Sequence, residues 1–296
     1  MTATTTAAAP VRGLPTAAAV PGGATVRHAP DSLAAQLADR GYVIVRGVLD
    51  AAEVARARDL CTAYLTGTGT QEMMTGEFLT DEFLAGIALR DQVVAAVKEL
   101  MGPNPVFYPN STTRKNVYVP WHVDATFVGP TAAYVWEPGF AHVQCGLYLQ
   151  DNDPVRGGGI DVVRSSHLMS FDGYGTREPE FDIPARTLGE SPLRERVDTR
   201  AGDVVMWDGR LMHASTPVVR ETDREKFGVF FSYARGHARD NHRFMSQIAV
   251  DSMRTMNGVS RAIPRLDEIA HMRYPESFPD WFVRRARDTG VRVVTL

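Results

Sequence analysis

The sequence predicts an α+β protein that is mainly β, with a β core flanked along the chain by helices. Two changes of period predict this class. Apolar residues recur at helical spacing from about residue 33 to residue 101, alternate with a period of two from residue 105 to residue 234, and return to helical spacing afterwards. Seven or more short strands bounded by Pro, Gly and Asp are typical of a sandwich or barrel.

Composition limits the class of protein and its partners. The chain has 296 residues, 44% of them hydrophobic, which is enough to bury a core. With 32 basic and 35 acidic residues the net charge is −3, and no block of like charges occurs, so we predict no nucleic-acid partner. No apolar run approaches the roughly 18 residues of a membrane span. Two cysteines are too few for a disulfide scaffold, and we predict a cytoplasmic protein. The oligomeric state stays open.

The chain divides into a tail and one domain. Residues 1–30 contain nine Ala, six Thr, four Pro and three Gly and no acidic or aromatic side chain, which predicts a disordered tail. Residues 31–296 form the domain, with a mainly helical part over residues 31–104, the β core over residues 105–235, and a second helical part over residues 236–296.

The helical part has clear start and stop signals. We predict a short helix capped by Asp31 and ended by Gly41, followed by a strand over residues 42–45. Asp50 and Glu53 have capping-box spacing and predict the start of the next helix. A further helical stretch covers residues 80–101, with a break near residue 90.

Seven strands are predicted in the core, over residues 106–113, 116–124, 140–150, 160–164, 203–207, 211–215 and 226–234. Along residues 140–150 one face is apolar and the other is polar and aromatic. The polar face would meet solvent in an open sheet and would line a cavity in a jelly roll. The period alone does not distinguish these two structures.

Three residues have the chemistry and spacing of a metal site. His122 and Asp124 stand two apart at the end of a predicted strand, so their side chains point to the same side. His213 lies 89 residues beyond Asp124 on another predicted strand. Two imidazoles and one carboxylate form the facial arrangement that suits non-haem Fe(II) and leaves coordination positions open for substrates. A single histidine is more often a packed or hydrogen-bonded residue than a metal ligand. The prediction therefore rests on His122, Asp124 and His213 together.

A basic residue follows the third ligand. Arg224 lies 11 residues after His213, at the start of the predicted return strand, where its guanidinium could pair with the far carboxylate of a metal-chelating dicarboxylate. Ser215, two residues after His213, could add a hydroxyl to that carboxylate. Arg220 is a rival for the role of Arg224, and a solvated turn arginine is the alternative for both.

Taken in order, these motifs resemble the phytanoyl-CoA dioxygenase family of Fe(II)- and 2-oxoglutarate-dependent oxygenases. The resemblance covers residues 41–234 and includes the Gly-Tyr-Val-Ile-Val opening, the His122-x-Asp124 pair, the three glycines at 157–159, and His213-x-Ser215 with Arg224. It implies a double-stranded β-helix, also described as a jelly-roll or cupin-like core. It also implies Fe(II) on His122, Asp124 and His213, and 2-oxoglutarate on Arg224 and Ser215. In the same family a basic residue upstream of the His-x-Asp pair often reaches cosubstrate or substrate, and the resemblance implies this role for Lys115 or Arg114.

The resemblance implies a dioxygenase that uses O2 and 2-oxoglutarate to oxidise an unactivated carbon and releases succinate and CO2. Hydroxylation, desaturation, epoxidation and ring formation are all compatible with a carboxylate at position 124, whereas related halogenases have a small residue there. We expect a small to medium-sized substrate, such as a secondary metabolite. The alternatives are a cupin-like isomerase or dioxygenase that works without 2-oxoglutarate, and a non-catalytic binding protein on the same fold.

Overall fold

The computed structural model describes residues 32–124, 133–137, 139–168, 191–220, 224–236, 242–246, 275 and 277–295. The predicted tail and most of the predicted C-terminal helical part lie outside these residues. The helices are α1 Leu33–Arg40, α2 Ala51–Thr68, α3 Thr75–Thr80, α4 Glu82–Gly86, α5 Asp91–Met101 and α6 Asp280–Asp288. Short 3-10 turns cover Ile87–Leu89, Ala133–Trp136 and Ser166–Leu168.

Eleven strands are present in the described part of the chain. They are β1 Tyr42–Val45, β2 Glu72–Met73, β3 Val106–Phe107, β4 Thr112–Lys115, β5 His142–Tyr148, β6 Ile160–Val163, β7 Arg194–Arg196, β8 Val204–Asp208, β9 His213–Ser215, β10 Phe227–Ala234 and β11 Arg292–Val293. The large sheet has the order β1-β8-β5-β10-β3-β11, and β4 also pairs with β10 and with β2. The small sheet has the order β7-β6-β9.

The two sheets face each other, and their contact determines where the site lies. Tyr148, Val205 and Trp207 of the large sheet pack in one cluster with Ile160 and Val162 of the small sheet. This arrangement is the double-stranded β-helix that the family resemblance implied. The polar and aromatic face of residues 140–150 points inward between the sheets, as expected for a jelly roll.

The opposite face of the large sheet is covered by helices. Val143, Cys145 and Leu147 alternate along β5 and are fully buried in the same cluster as α2, α4, α5 and α6. Burial raises the pKa of the Cys145 thiol far above its usual range. Both cysteines are free and buried, so Cys145 packs as a small apolar side chain.

Helix starts and stops follow local chemistry. The Asp50 carboxylate accepts a hydrogen bond from the Glu53 amide at 2.8 Å, and Glu53 accepts one from the Asp50 amide at 3.1 Å, so the predicted capping box is present. Ser32, rather than Asp31, occupies the N-cap of α1 and accepts a hydrogen bond from Ala35. Gly41 ends α1 in a left-handed conformation.

No helix in the described ranges is long and apolar enough to cross a membrane.

Two predicted strands are wrong in extent. Residues 106–113 form the separate strands β3 and β4, because Pro109 and a tight turn from Tyr108 to Asn110 interrupt the pairing. Residues 116–124 make only one isolated bridge, at His122. Asn116 has a φ of 55°, which turns the chain out of an extended conformation.

Candidate metal centre

The two histidines of the predicted triad lie opposite each other across an antiparallel bridge. The His122 amide donates to the His213 carbonyl and the His213 amide donates to the His122 carbonyl, both at 2.9 Å. Residues directly opposite each other in a sheet project their side chains to the same face. The ring centroids are consequently 4.2 Å apart.

Backbone carbonyls orient both imidazoles. Nδ1 of His122 lies 2.8 Å from the Pro120 carbonyl, and Nδ1 of His213 lies 2.9 Å from the Leu211 carbonyl. A carbonyl only accepts hydrogen bonds, so each Nδ1 carries the proton and each Nε2 has the lone pair that binds a metal.

Asp124 completes the cluster. The ligand atoms of His122, Asp124 and His213 all lie within 4.8 Å of one another. Asp124 Oδ1 is 3.6 Å from His122 Nε2, too far for a good hydrogen bond but suited to two ligands of one cation. Asp124 Oδ2 accepts a hydrogen bond from the indole nitrogen of Trp207 at 3.1 Å.

The protonation states match those of metal ligands. Burial alone would raise the pKa of Asp124, but the His213 and His122 rings outweigh it and hold that pKa well below its usual range. Burial, together with the His122 ring, lowers the pKa of His213 to about 4. At neutral pH the site therefore presents an ionised carboxylate and a neutral His213 imidazole, as metal binding requires. This donor set fits Fe(II).

The face of the large sheet that carries Trp207 lies next to Asp124. Gln144 stands opposite Trp207 in the register of β5 and β8, so Gln144, Gly146 and Tyr148 lie on this face, and Phe230 of β10 contacts the Tyr148 ring. A Cβ on Gly146 would lie 3.0 Å from the Trp207 ring, so glycine at 146 leaves room for the indole that holds Asp124.

The predicted cosubstrate residues occupy different places. Ser215 lies on β9 two residues from His213, and its hydroxyl accepts hydrogen bonds from the Val119 amide at 3.0 Å and from Lys226 Nζ at 2.9 Å. Arg224 is half-buried, and its guanidinium donates to the Asp151 carbonyl at 3.0 Å. The rival Arg220 is exposed in the turn after β9.

The two basic residues of β4 point in opposite directions. The Lys115 ammonium pairs with the Glu225 carboxylate. The Arg114 guanidinium lies over the Phe230 ring, 5.5 Å from its centroid, and pairs with Glu72 at 3.3 Å. Of these two alternatives, Arg114 is the one on the inner face of the sheet.

Sequence reasoning did not single out two residues that contact predicted site residues: Trp207, which bonds Asp124, and Lys226, which bonds Ser215. Lys226 had a recognisable signal, because the chain has 29 arginines and only three lysines, so a lysine at the start of a return strand is unusual. Trp207 had no comparable signal, since its bond to Asp124 joins two residues that are 83 positions apart in the chain.

Trp207→Phe is expected to lower Fe(II) affinity about 10- to 100-fold, because loss of a hydrogen bond to a ligating carboxylate usually has that effect. The aromatic packing against Gly146 is largely kept. The measurement is an anaerobic Fe(II) titration, with Trp281→Phe on α6 as the matched control. Equal iron affinity in the two variants would contradict this role for the indole.

The fold and site together define a class. Two histidines and one carboxylate at one end of a double-stranded β-helix are the arrangement of mononuclear non-haem iron oxygenases. The family model "Phytanoyl-CoA dioxygenase (PhyH)" matches residues 37–225, more than half of the chain. The chain belongs to the phytanoyl-CoA dioxygenase family of Fe(II)- and 2-oxoglutarate-dependent enzymes, as the resemblance predicted.

Solved structures share the fold. The epimerase SnoN of nogalamycin biosynthesis is 23% identical, with a TM-score of 0.52 over 69% of this chain and 79% of that one. HygX from Streptomyces hygroscopicus, solved with nickel and 2-oxoglutarate, is 15% identical, with a TM-score of 0.55 over 68% and 85%. EctD from S. alaskensis, solved with iron, is 16% identical, with a TM-score of 0.53 over 71% and 80%. No curated protein matches the sequence.

Proposed function

We propose that this protein is an Fe(II)- and 2-oxoglutarate-dependent dioxygenase that oxidises an unactivated carbon of a small to medium-sized secondary metabolite. The observation that carries the proposal is the cluster of His122, Asp124 and His213 between the two sheets. Its support beyond the family match is that SnoN acts in nogalamycin biosynthesis and that EctD has been solved with 2-oxoglutarate and 5-hydroxyectoine.

The chain's residues hold and shape the centre. His122 and His213 present Nε2, because the backbone fixes their Nδ1 protons, and Asp124 stays ionised between them. When bound, iron with 2-oxoglutarate supplies the oxidising power drawn from O2, with succinate and CO2 as co-products. Trp207, which bonds Asp124, packs in one apolar cluster with Tyr148 and Phe230.

The carboxylate of Asp124 bears on the outcome of the reaction. With iron bound, this carboxylate would be a ligand where related halogenases have a small residue, so we propose hydroxylation, desaturation, epoxidation or ring formation. Two buried free cysteines and a net charge of −3 support a cytoplasmic enzyme that acts on a small molecule without a nucleic-acid or membrane partner.

An anaerobic titration tests this function. Fe(II) followed by 2-oxoglutarate is expected to give the visible charge-transfer band of a chelated keto acid, and admission of O2 with a metabolite panel is expected to release succinate. A cupin-like enzyme without 2-oxoglutarate would bind iron without that band. A non-catalytic binding protein would show neither the band nor succinate.

A further inference from the structure

Two buried polar side chains of the large sheet are without hydrogen bonds. His142 of β5 is 1% exposed and Ser232 of β10 is 0% exposed. In the described part of the chain, neither imidazole nitrogen of His142 and no partner atom near the Ser232 hydroxyl completes a hydrogen bond. Buried polar groups in native proteins nearly always have a partner, so two neighbouring exceptions need an explanation.

The register of the sheet places both side chains beside the metal centre. Gln144 of β5 stands directly opposite Ser232 of β10 on one side and Trp207 of β8 on the other. His142 is two residues from Gln144 along β5, so its side chain projects to the same face. Trp207 donates to Asp124 at 3.1 Å, and this face of the sheet is therefore the one that meets the metal ligands.

The two polar side chains are uncharged at neutral pH. Burial lowers the pKa of His142 to about 4, although the carboxylates of Asp124 and Asp208 oppose this shift. Asp208 is itself paired with Arg210 at 2.7 Å, so its charge is balanced. A neutral imidazole has one donor and one acceptor nitrogen, and the Ser232 hydroxyl can also donate and accept. A hydroxyl or carbonyl group is the ligand chemistry that matches them.

Aromatic side chains border the imidazole. The Phe244 ring packs edge to face on His142, with ring centroids 5.0 Å apart, and the Phe140 ring packs on Phe244 at 5.1 Å. Both phenylalanines belong to an apolar cluster that also contains Tyr134 and Met212. A few polar groups set in an apolar lining are typical of small-molecule sites, where the polar groups fix the orientation of the ligand.

We propose that His142 and Ser232 form hydrogen bonds with a hydroxyl or carbonyl group of the primary substrate, which is an uncharged and mainly apolar molecule. The substrate displaces the Phe244 ring, which packs against the imidazole. Because the two side chains share the face of Trp207 and Asp124, holding this group determines which carbon of the substrate lies next to the metal. This inference rests on the proposed function.

The test compares two aromatic probes that differ in one group. 4-Fluorobenzyl alcohol has a hydroxyl where 1-ethyl-4-fluorobenzene has a methyl group. Affinity for each is measured by fluorine NMR with Zn(II) and 2-oxoglutarate in the site, so that no turnover occurs. Replacement of Zn(II) by paramagnetic Mn(II) is expected to broaden the signal of the bound alcohol. An unbroadened signal would mean that the alcohol binds away from the metal, and would overturn the inference.

The preference for the alcohol is the ratio of its affinity to that of the hydrocarbon, and variants of His142 are expected to change it. His142→Phe is expected to lower the preference about tenfold, because a phenyl ring fills the space without hydrogen bonding. His142→Gln retains a donor and an acceptor and is expected to stay within about threefold of the wild type. A wild-type preference in His142→Phe would overturn the inference.

Ser232→Ala is the smaller change, and it has a matched control. It is expected to lower the preference about threefold to tenfold, because one neutral hydrogen bond is lost. Ser111→Ala is the control: Ser111 is 1% exposed and its hydroxyl likewise has no partner among the described residues, but it lies beside α3, where Thr75 donates to its carbonyl. The same preference in both serine variants would overturn the role of Ser232.

A crystal structure of the wild type tests the contact without any variant. With Zn(II), 2-oxoglutarate and 4-bromobenzyl alcohol bound, the hydroxyl is expected within hydrogen-bond distance of His142 or Ser232, with the Phe244 ring moved aside. A hydroxyl bound elsewhere would overturn the inference and leave the proposed function intact, as would a wild type that binds 2-oxoglutarate but neither probe. A wild type that does not bind 2-oxoglutarate with the metal would overturn both.

Discussion

His213→Ala is expected to abolish substrate-dependent succinate release and to reduce Fe(II) affinity by more than the roughly 100-fold that loss of an outer contact can cause. His213 is one of three side chains whose ligand atoms lie within 4.8 Å of one another, so its removal leaves only one imidazole and one carboxylate. Two ligands do not hold Fe(II) in the facial arrangement. His122→Ala is expected to behave in the same way.

The measurements are iron content after anaerobic loading and succinate formed with O2. His242→Ala is the matched control, because this histidine is exposed and its ring packs beside Tyr108 rather than at the triad. The control is expected to bind iron like the wild type. Full iron loading together with normal turnover in His213→Ala would remove the triad from the mechanism.

Gly202→Ala is expected to lower the free energy of unfolding by at least about 3 kcal/mol. Gly202 has a φ of +91°, and a Cβ there would lie 2.3 Å from the Leu49 carbonyl oxygen. Its amide donates to the Tyr148 carbonyl at 3.0 Å, and its carbonyl accepts from the Leu49 amide at 3.1 Å. The clash is with a backbone atom where the helical part joins the large sheet. Rotation of a side chain therefore cannot relieve it.

Thermal and denaturant unfolding measure this effect. A loss of this size corresponds to a decrease in Tm of roughly 6 to 12 °C. Gly67→Ala is the control, since Gly67 is exposed within α2, has an ordinary φ and has open space at its Cβ. That change is expected to stabilise the protein by up to about 1 kcal/mol. Equal stability in the two variants would contradict this prediction, because it would mean that the backbone around Gly202 and Leu49 moves apart to accept a methyl group.

The features that the sequence predicted correctly depend on near neighbours in the chain. The capping box of Asp50 and Glu53 spans three residues, and the alternation along β5 separates its two faces with a period of two. The triad prediction also began locally, from the i and i+2 spacing of His122 and Asp124. His213 was added through its residue type and motif, and the structure brings it beside the other two.

The features that sequence reasoning missed depend on tertiary distance. Lys226 lies 11 residues beyond Ser215, and no period in the sequence indicates that the two side chains meet. Lys226 is buried just before β10, whereas Arg224 is half-buried and donates to the Asp151 carbonyl. The short strand β7 was missed because Arg-Glu-Arg has neither alternation nor β propensity. Its extended conformation depends on hydrogen bonding to β6.

The peptide carbonyls that aim His122 and His213 have a consequence for how this scaffold evolves. The carbonyls of Pro120 and Leu211 orient the two imidazole rings, and every residue type has such a carbonyl. The orientation of the rings therefore does not depend on which side chains stand at positions 120 and 211. Mutations of the surrounding side chains can therefore reshape the space for a new substrate while the two imidazole rings keep their orientation. Laboratory libraries that randomise Gln144 and Phe230 but keep Gly146, which leaves room for the Trp207 indole, are expected to yield many variants that still load iron. This makes the chain a practical starting point for changing selectivity.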